Sequence, residues 1–169
     1  MCVFGQNNAN HLYWSADKKL TVADFLIQPQ SGQAMSSFAQ FSIEHQVSGM
    51  NFLTKNFNKK VQNFMIPSAS WIDTTNNVSQ ALLYQQTLFD LAEIYTRQFR
   101  KALRENRKKI ATGLQIVTDL NDSIMSDLAK RRANYSQETN FAADSDSQLQ
   151  WEEQIKQELL ELKDFAYEK

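Results

Sequence analysis

The sequence predicts an α+β fold. A small mixed or antiparallel sheet is drawn from about residues 12–72 and packs on a long central helix over about 78–105, with two further long helices after it. Three observations lead there. Ser37 to Glu44 alternates with period 2, with Ala39, Phe41 and Ile43 on one side and Gln40, Ser42 and Glu44 on the other. From about Val78 the period lengthens: Leu88, Leu91, Ala92, Tyr95, Phe99, Ala102 and Leu103 step by three and four, a helical stripe. Finally, four Gly and two Pro are few for an all-β chain rich in tight turns.

Leu12-Tyr13-Trp14 reads as a short opening strand, followed by a turn that Ser15 or Asp17 caps and a compact apolar cluster over Leu20 to Phe25. Gln28 to Gln33 is a loop by its Pro and Gly. In the alternating strand Phe38 falls on the polar side. Ser48-Gly49 and Asn56 to Asn58 mark turns, and Val61 to Ile66 is a second strand that Pro67 stops. Thr74 to Asn77 is a polar run suited to capping the central helix. A further helix is expected over about 107–133, with Gly113 inside it at a modest cost in propensity. Asn134 to Ser147 is polar and reads as a loop, and Gln148 to Tyr167 as a last amphipathic helix with Trp151, Ile155, Leu159, Leu162 and Ala166 on its apolar side.

Composition narrows the function. The chain of 169 residues is expected to hold one domain over residues 12–169, and a net charge of −1 gives no global bias toward nucleic acid or anionic membrane. Basic residues crowd the end of the central helix, from Arg97 to Lys109, but without aromatics interleaved for base stacking; a solvated helix end explains them. Two His and one Cys leave little for a Cys/His zinc site and nothing for an internal disulfide. No apolar run reaches the ~18–20 residues of a transmembrane helix. Met1 to Gln6 resembles the tail of a signal peptide, with Val3 and Gly5 fitting cleavage before Gln6, which places the chain in a secreted or periplasmic setting.

The run Ala81 to Tyr95 has the form of a zinc-protease helix without its ligands. Such a helix needs His at i, Glu at i+1 and His at i+4, so that both imidazoles share a face and the Glu acts as general base on the metal-bound water. Here those positions hold Tyr84, Gln85 and Leu88. With the opening Trp14 to Phe25, the Ser70-Trp71 pair, the helix on to Leu103, and the tail Tyr135 to Ala142 with Gln148 and Trp151, the chain resembles a bacterial, Bacteroidetes-type domain-of-unknown-function family assigned to secreted zinc proteases of the H-E-x-x-H group.

The resemblance spans about Tyr13 to Tyr167 and implies a zincin-like fold, with a third His in place of Phe141. This chain departs from it at every ligand. An amide takes no proton near neutral pH, and Leu and Phe offer a metal no lone pair. The implied function is therefore a catalytically inactive, secreted protease-like domain, with no cofactor and no metal. Its partner would be a protein, peptide or glycan lodged in the former cleft, with Tyr84, Gln85, Asp90 and Glu93 as polar handles. Leu88 and Phe141 would fill the vacated metal volume as an apolar plug. Structural roles compete for the two carboxylates: Asp90 can orient nearby backbone, and Glu93 can pair with Arg97 one turn on. Two other classes stay open: an active hydrolase with an unconventional site on Asp90 and Glu93, or a relocated site using His11 and His45, and a purely structural helical interaction protein.

Overall fold

The computed structural model describes residues 10–29, 35–47 and 57–167. The expected leader remnant Met1–Gln6 with Cys2, and the turn at Ser48-Gly49, lie outside the described residues. The order is β1 (Leu12–Tyr13), β2 (Ser37–His45), β3 (Val61–Ile72), α1 (Val78–Glu105), α2 (Arg107–Ile110), α3 (Gln115–Glu138) and α4 (Ser145–Glu161), with 3-10 turns at Val22–Asp24, Phe57–Lys60 and Lys163–Phe165. The architecture is α+β: a three-stranded antiparallel sheet in the order β1-β3-β2 lies against α1, which α3 and α4 cover from other sides.

β3 runs through Pro67 instead of stopping there. The register shows why. Gln40 faces Ile66 and Phe38 faces Trp71, so the Pro67 to Ser70 stretch bulges out of the ladder where a missing N–H costs nothing. Ser70 Oγ bridges the gap, accepting from Gln40 N at 3.0 Å and donating to Ile66 O at 2.7 Å. Phe38, out of phase with the apolar side, is exposed.

α1 is the spine. Its Leu91, Ile94 and Tyr95 join Leu128 and Tyr135 of α3 and Ile155 of α4 in one apolar cluster. Phe99 and Leu103 join Val61, Ile110 and Val117 in a second, and Ala81 and Phe89 join Leu20, Phe25, Met65 and Ile72 in a third. Thr87 bonds Gln148 and Arg97 bonds Leu159, so α4 runs parallel to α1; Tyr84 meets Ser136 while Leu103 meets Val117, so α3 runs antiparallel.

The helix boundaries differ from expectation in three places, one of them the last helix, which is expected to run to Tyr167 but ends at Glu161, with a 3-10 turn at Lys163–Phe165 after it. The run 107–133 is broken over residues 111–114, at Thr112 and Gly113, and α3 starts only at Gln115. The polar stretch 134–147 is mostly helical. α3 continues to Glu138 because Tyr135, fully buried, anchors its last turn, and Asp144 caps α4 by accepting from Ser147 N at 2.8 Å.

Candidate functional site

The face of α1 that carries Tyr84 and Leu88 is sealed. The Tyr84 ring stacks on Tyr135 with centroids 5.6 Å apart, and its hydroxyl shares a 2.7 Å hydrogen bond with Ser136. Burial pushes the Tyr135 hydroxyl up to about 12; it donates to Gln148 Oε1 at 2.8 Å. Leu88 is half-buried against the same cluster. Phe141 lies with its ring 5.5 Å from Tyr84 but is 48% exposed. The expected plug of Leu88 and Phe141 is thus built differently: Tyr84 fills the interior and Phe141 lies across its outer side. Gln85 turns toward the sheet, where its amide N–H donates to Ser37 Oγ at 2.9 Å.

Asn140, Phe141 and Ala142 are all left-handed, at φ 47°, 56° and 62°. That conformation is costly for residues with a Cβ, above all for one as bulky as Phe. The tight turn is held by Phe141 N donating to Ser136 O, by Ala142 N donating to Thr139 Oγ1, and by Gln80 Nε2 donating to Phe141 O.

Position 93 lies under the C-terminal half of α1, in a buried charge cluster. Glu93 Oε1 accepts from Arg97 Nε and Arg100 Nη1, each at 3.0 Å. Arg100, 1% exposed, also donates twice to Val61 O and once to Phe165 O, while Arg97 donates to Leu159 O at 2.7 Å. Burial lowers the Arg100 guanidinium from its ordinary value, with Glu93 opposing it. Asn58 Nδ2 completes the fastening by donating to Asp164 O and Ala166 O. The expected Glu93–Arg97 pair is present, and a second guanidinium joins it.

The open face lies on another side of α1. A groove of about 880 Å³ runs between α4 and the Trp14–Leu20 segment, with α1 as its floor. Its apolar surface comes from Leu82 and Leu83 of α1 and Ile155, Leu159 and Leu160 of α4. One corner is polar and fixed. Asp90 Oδ1 accepts from Trp14 Nε1 at 2.7 Å and from Gln86 Nε2 at 2.8 Å, and Lys19 lies 3.5 Å from its other oxygen. Gln86 Oε1 accepts from Leu20 N at 2.8 Å, and Arg97 lies 5.3 Å over the Trp14 ring. The N-terminal segment is therefore pinned to α1 as a groove wall.

Of the four residues expected to line a cleft, Asp90 alone lines this groove; Tyr84, Gln85 and Glu93 are buried elsewhere around α1. Both carboxylates have structural partners. His11 stacks on Phe64 beside β1 and His45 sits edge-on to Phe99 at the end of β2, so the two imidazoles flank β3 from either side. Among the described residues no three His, Cys, Asp or Glu side chains gather as a metal-ligand set. No described helix is long and apolar enough to cross a membrane.

Sequence reasoning missed Lys19, Gln86 and α4's share of the groove. The contacts that make the corner join residues 66 and 76 positions apart, and no local pattern in the sequence marks them. No protein-family model matches this chain, and searches of the curated proteins and of the solved structures find no match either.

Proposed function

We propose that this chain is a non-catalytic binding domain of zinc-protease-like descent, and that its ligand sits in the groove between α4 and the Trp14–Leu20 wall. The observation that carries the binding role is the groove itself. Its volume lies within the ~300–1,000 Å³ of small-ligand sites, and it leaves Leu83 and Leu160 37% and 59% exposed beside a preformed polar corner. A large apolar surface held open by buried hydrogen bonds is what a receptor for an apolar ligand requires.

The descent rests on positions 84 and 141. The resemblance puts metal ligands at both, and the two rings lie 5.5 Å apart although 57 residues separate them. Their chemistry here is packing, which fits a lost metal site. Restoring Tyr84→His, Leu88→His and Phe141→His together should create a zinc site, read as metal retained by the purified variant. A folded triple variant that retains no zinc would sink the descent.

The groove is tested with an apolar fluorophore whose emission rises on burial. The wild type should bind it saturably, and Leu83→Gln with Leu160→Gln should weaken binding more than about tenfold, since two apolar contacts are lost. Both residues are exposed, so the fold should survive. Equal binding by wild type and double variant refutes the site.

A further inference from the structure

We infer that the groove takes a single-chain amphiphile with an anionic head, namely a long-chain carboxylate, with its chain along the α1–α4 seam and its head toward Lys163. The inference rests on the reading of the groove as the binding site.

The walls decide between ligand classes. The surfaces offered by Leu20, Leu82, Leu83, Ile155, Leu159 and Leu160 are aliphatic. A sugar would find partners at the Trp14, Gln86 and Asp90 corner but would leave hydroxyl groups unpaired along the aliphatic stretch. An extended peptide would do the same with its backbone along the two helical sides, because α1 and α4 have already spent their own N–H and C=O groups within the helices. An alkyl chain brings no polar group along its length. The shape agrees: from Ser79 to Arg97 the floor runs along α1 for roughly 27 Å at 1.5 Å per residue, an elongated groove.

Charge decides the head. The lining cations are Lys19, Arg97, Lys156 and Lys163, against the carboxylates Asp90 and Glu152. Asp90 is taken up by Trp14, Gln86 and Lys19, and Glu152 accepts from Gln148 at 2.9 Å. Arg97 is committed to Glu93 and to the Leu159 carbonyl. The Lys163 ammonium makes no hydrogen bond or ion pair among the described residues, and Lys156 has only an exposed pair with Glu153 at 3.6 Å. From α4 into the 3-10 turn after it the lining runs Glu152, Ile155, Lys156, Leu159, Leu160 and Lys163, so the uncommitted cation lies beyond the last apolar residues. A bound carboxylate would complement that order, whereas an alkylammonium would bring a further cation to it.

The experiment titrates the full chain with palmitate and with hexadecanol below their aggregation limits, following displacement of the apolar fluorophore. A series of shorter carboxylates and an acidic amphipathic peptide are run beside them. Palmitate should bind more tightly than hexadecanol, with affinity rising about three- to fourfold per added methylene until the groove is full. Lys163→Ala should weaken palmitate about fivefold and leave hexadecanol unchanged. Equal affinity for acid and alcohol, indifferent to Lys163, overturns the anionic head while the groove stands as a binding site. Displacement by the peptide but by neither amphiphile overturns the ligand class in favour of helix docking. Failure of the fluorophore itself to bind overturns the groove reading, and this inference with it.

Discussion

Two faces of the same helix have opposite designs. The face of α1 with Tyr84 and Leu88 is closed by aromatic stacking against α3, with Phe141 laid across its outside. The face with Leu83, Gln86, Asp90 and Arg97 is lined partly by apolar side chains yet left open. Closure on the first side needs only complementary rings, because each covers the other's apolar area. Keeping the second side open needs a scaffold that holds the walls apart. Here that scaffold is polar: Gln86 and Asp90 fasten the Trp14–Leu20 wall, and Arg97 and Arg100 fasten the end of α4 and the segment after it. The lesson is that the buried charges serve the open face, while Tyr84, Leu88 and Phe141 belong to the closed one.

The sharpest way to break this contrast is at Arg100. Arg100→Ala removes the donors to Val61 O and Phe165 O and leaves Glu93 with one guanidinium in a buried setting. Breaking such a pair costs about 3–5 kcal/mol, because the remaining groups stay desolvated and unpaired. Chemical denaturation should show that loss. A change below about 1 kcal/mol would show that the C-terminal segment is not held through this residue, and the polar scaffold would lose its main member.

The closed face is probed by Leu88→Ala, with a smaller expected effect. Leu88 is half-buried against the Tyr84 cluster, which puts the cost near the lower end of the ~2–5 kcal/mol range for leucine truncation. A value within about 0.5 kcal/mol would mean that Tyr84 and Tyr135 close that side without it.

The contrast also explains what was legible in the chain. Helical periodicity located α1, because one stripe from Leu88 to Leu103 packs continuously, and period-2 alternation located β2. Pro67 misled because a proline stops a strand unless a bulge relieves it, and the bulge depends on the β2 partner. Residues 134–147 misled because their polarity hid Tyr135, whose burial is created by Tyr84, Gln148 and Trp151 from other helices. The groove was hardest to see. Asp90 and Glu93 lie three residues apart and look alike in sequence, yet one faces the groove and the other the buried arginines. Local pattern distinguishes a helix face from its neighbour only where apolar residues mark it, and a polar face reveals its partners only in three dimensions.

The smallest expected effect is a pH dependence carried by the closed face. Tyr135 has an ordinary value of 10.0 and is raised to about 12, first by burial, with its hydrogen bonds from neighbouring groups opposing the shift. A raised value means that the folded state keeps a proton which the unfolded chain releases. The stability linked to Tyr135 is therefore fully present below pH 10 and is lost as pH rises through about 12. The loss stays below about 3 kcal/mol across that window. Other groups titrate there as well, so the quantity to measure is the difference in unfolding free energy between wild type and Tyr135→Phe, which cancels what the two proteins share. Near neutral pH the variant should be the less stable, since Gln148 loses a donor in a buried position. Between pH 10 and 12 that disadvantage should shrink, because only the wild type must hold a phenol un-ionised inside the fold. A constant difference across the window would mean that water reaches the Tyr135 hydroxyl, and the stacked face would then be open too.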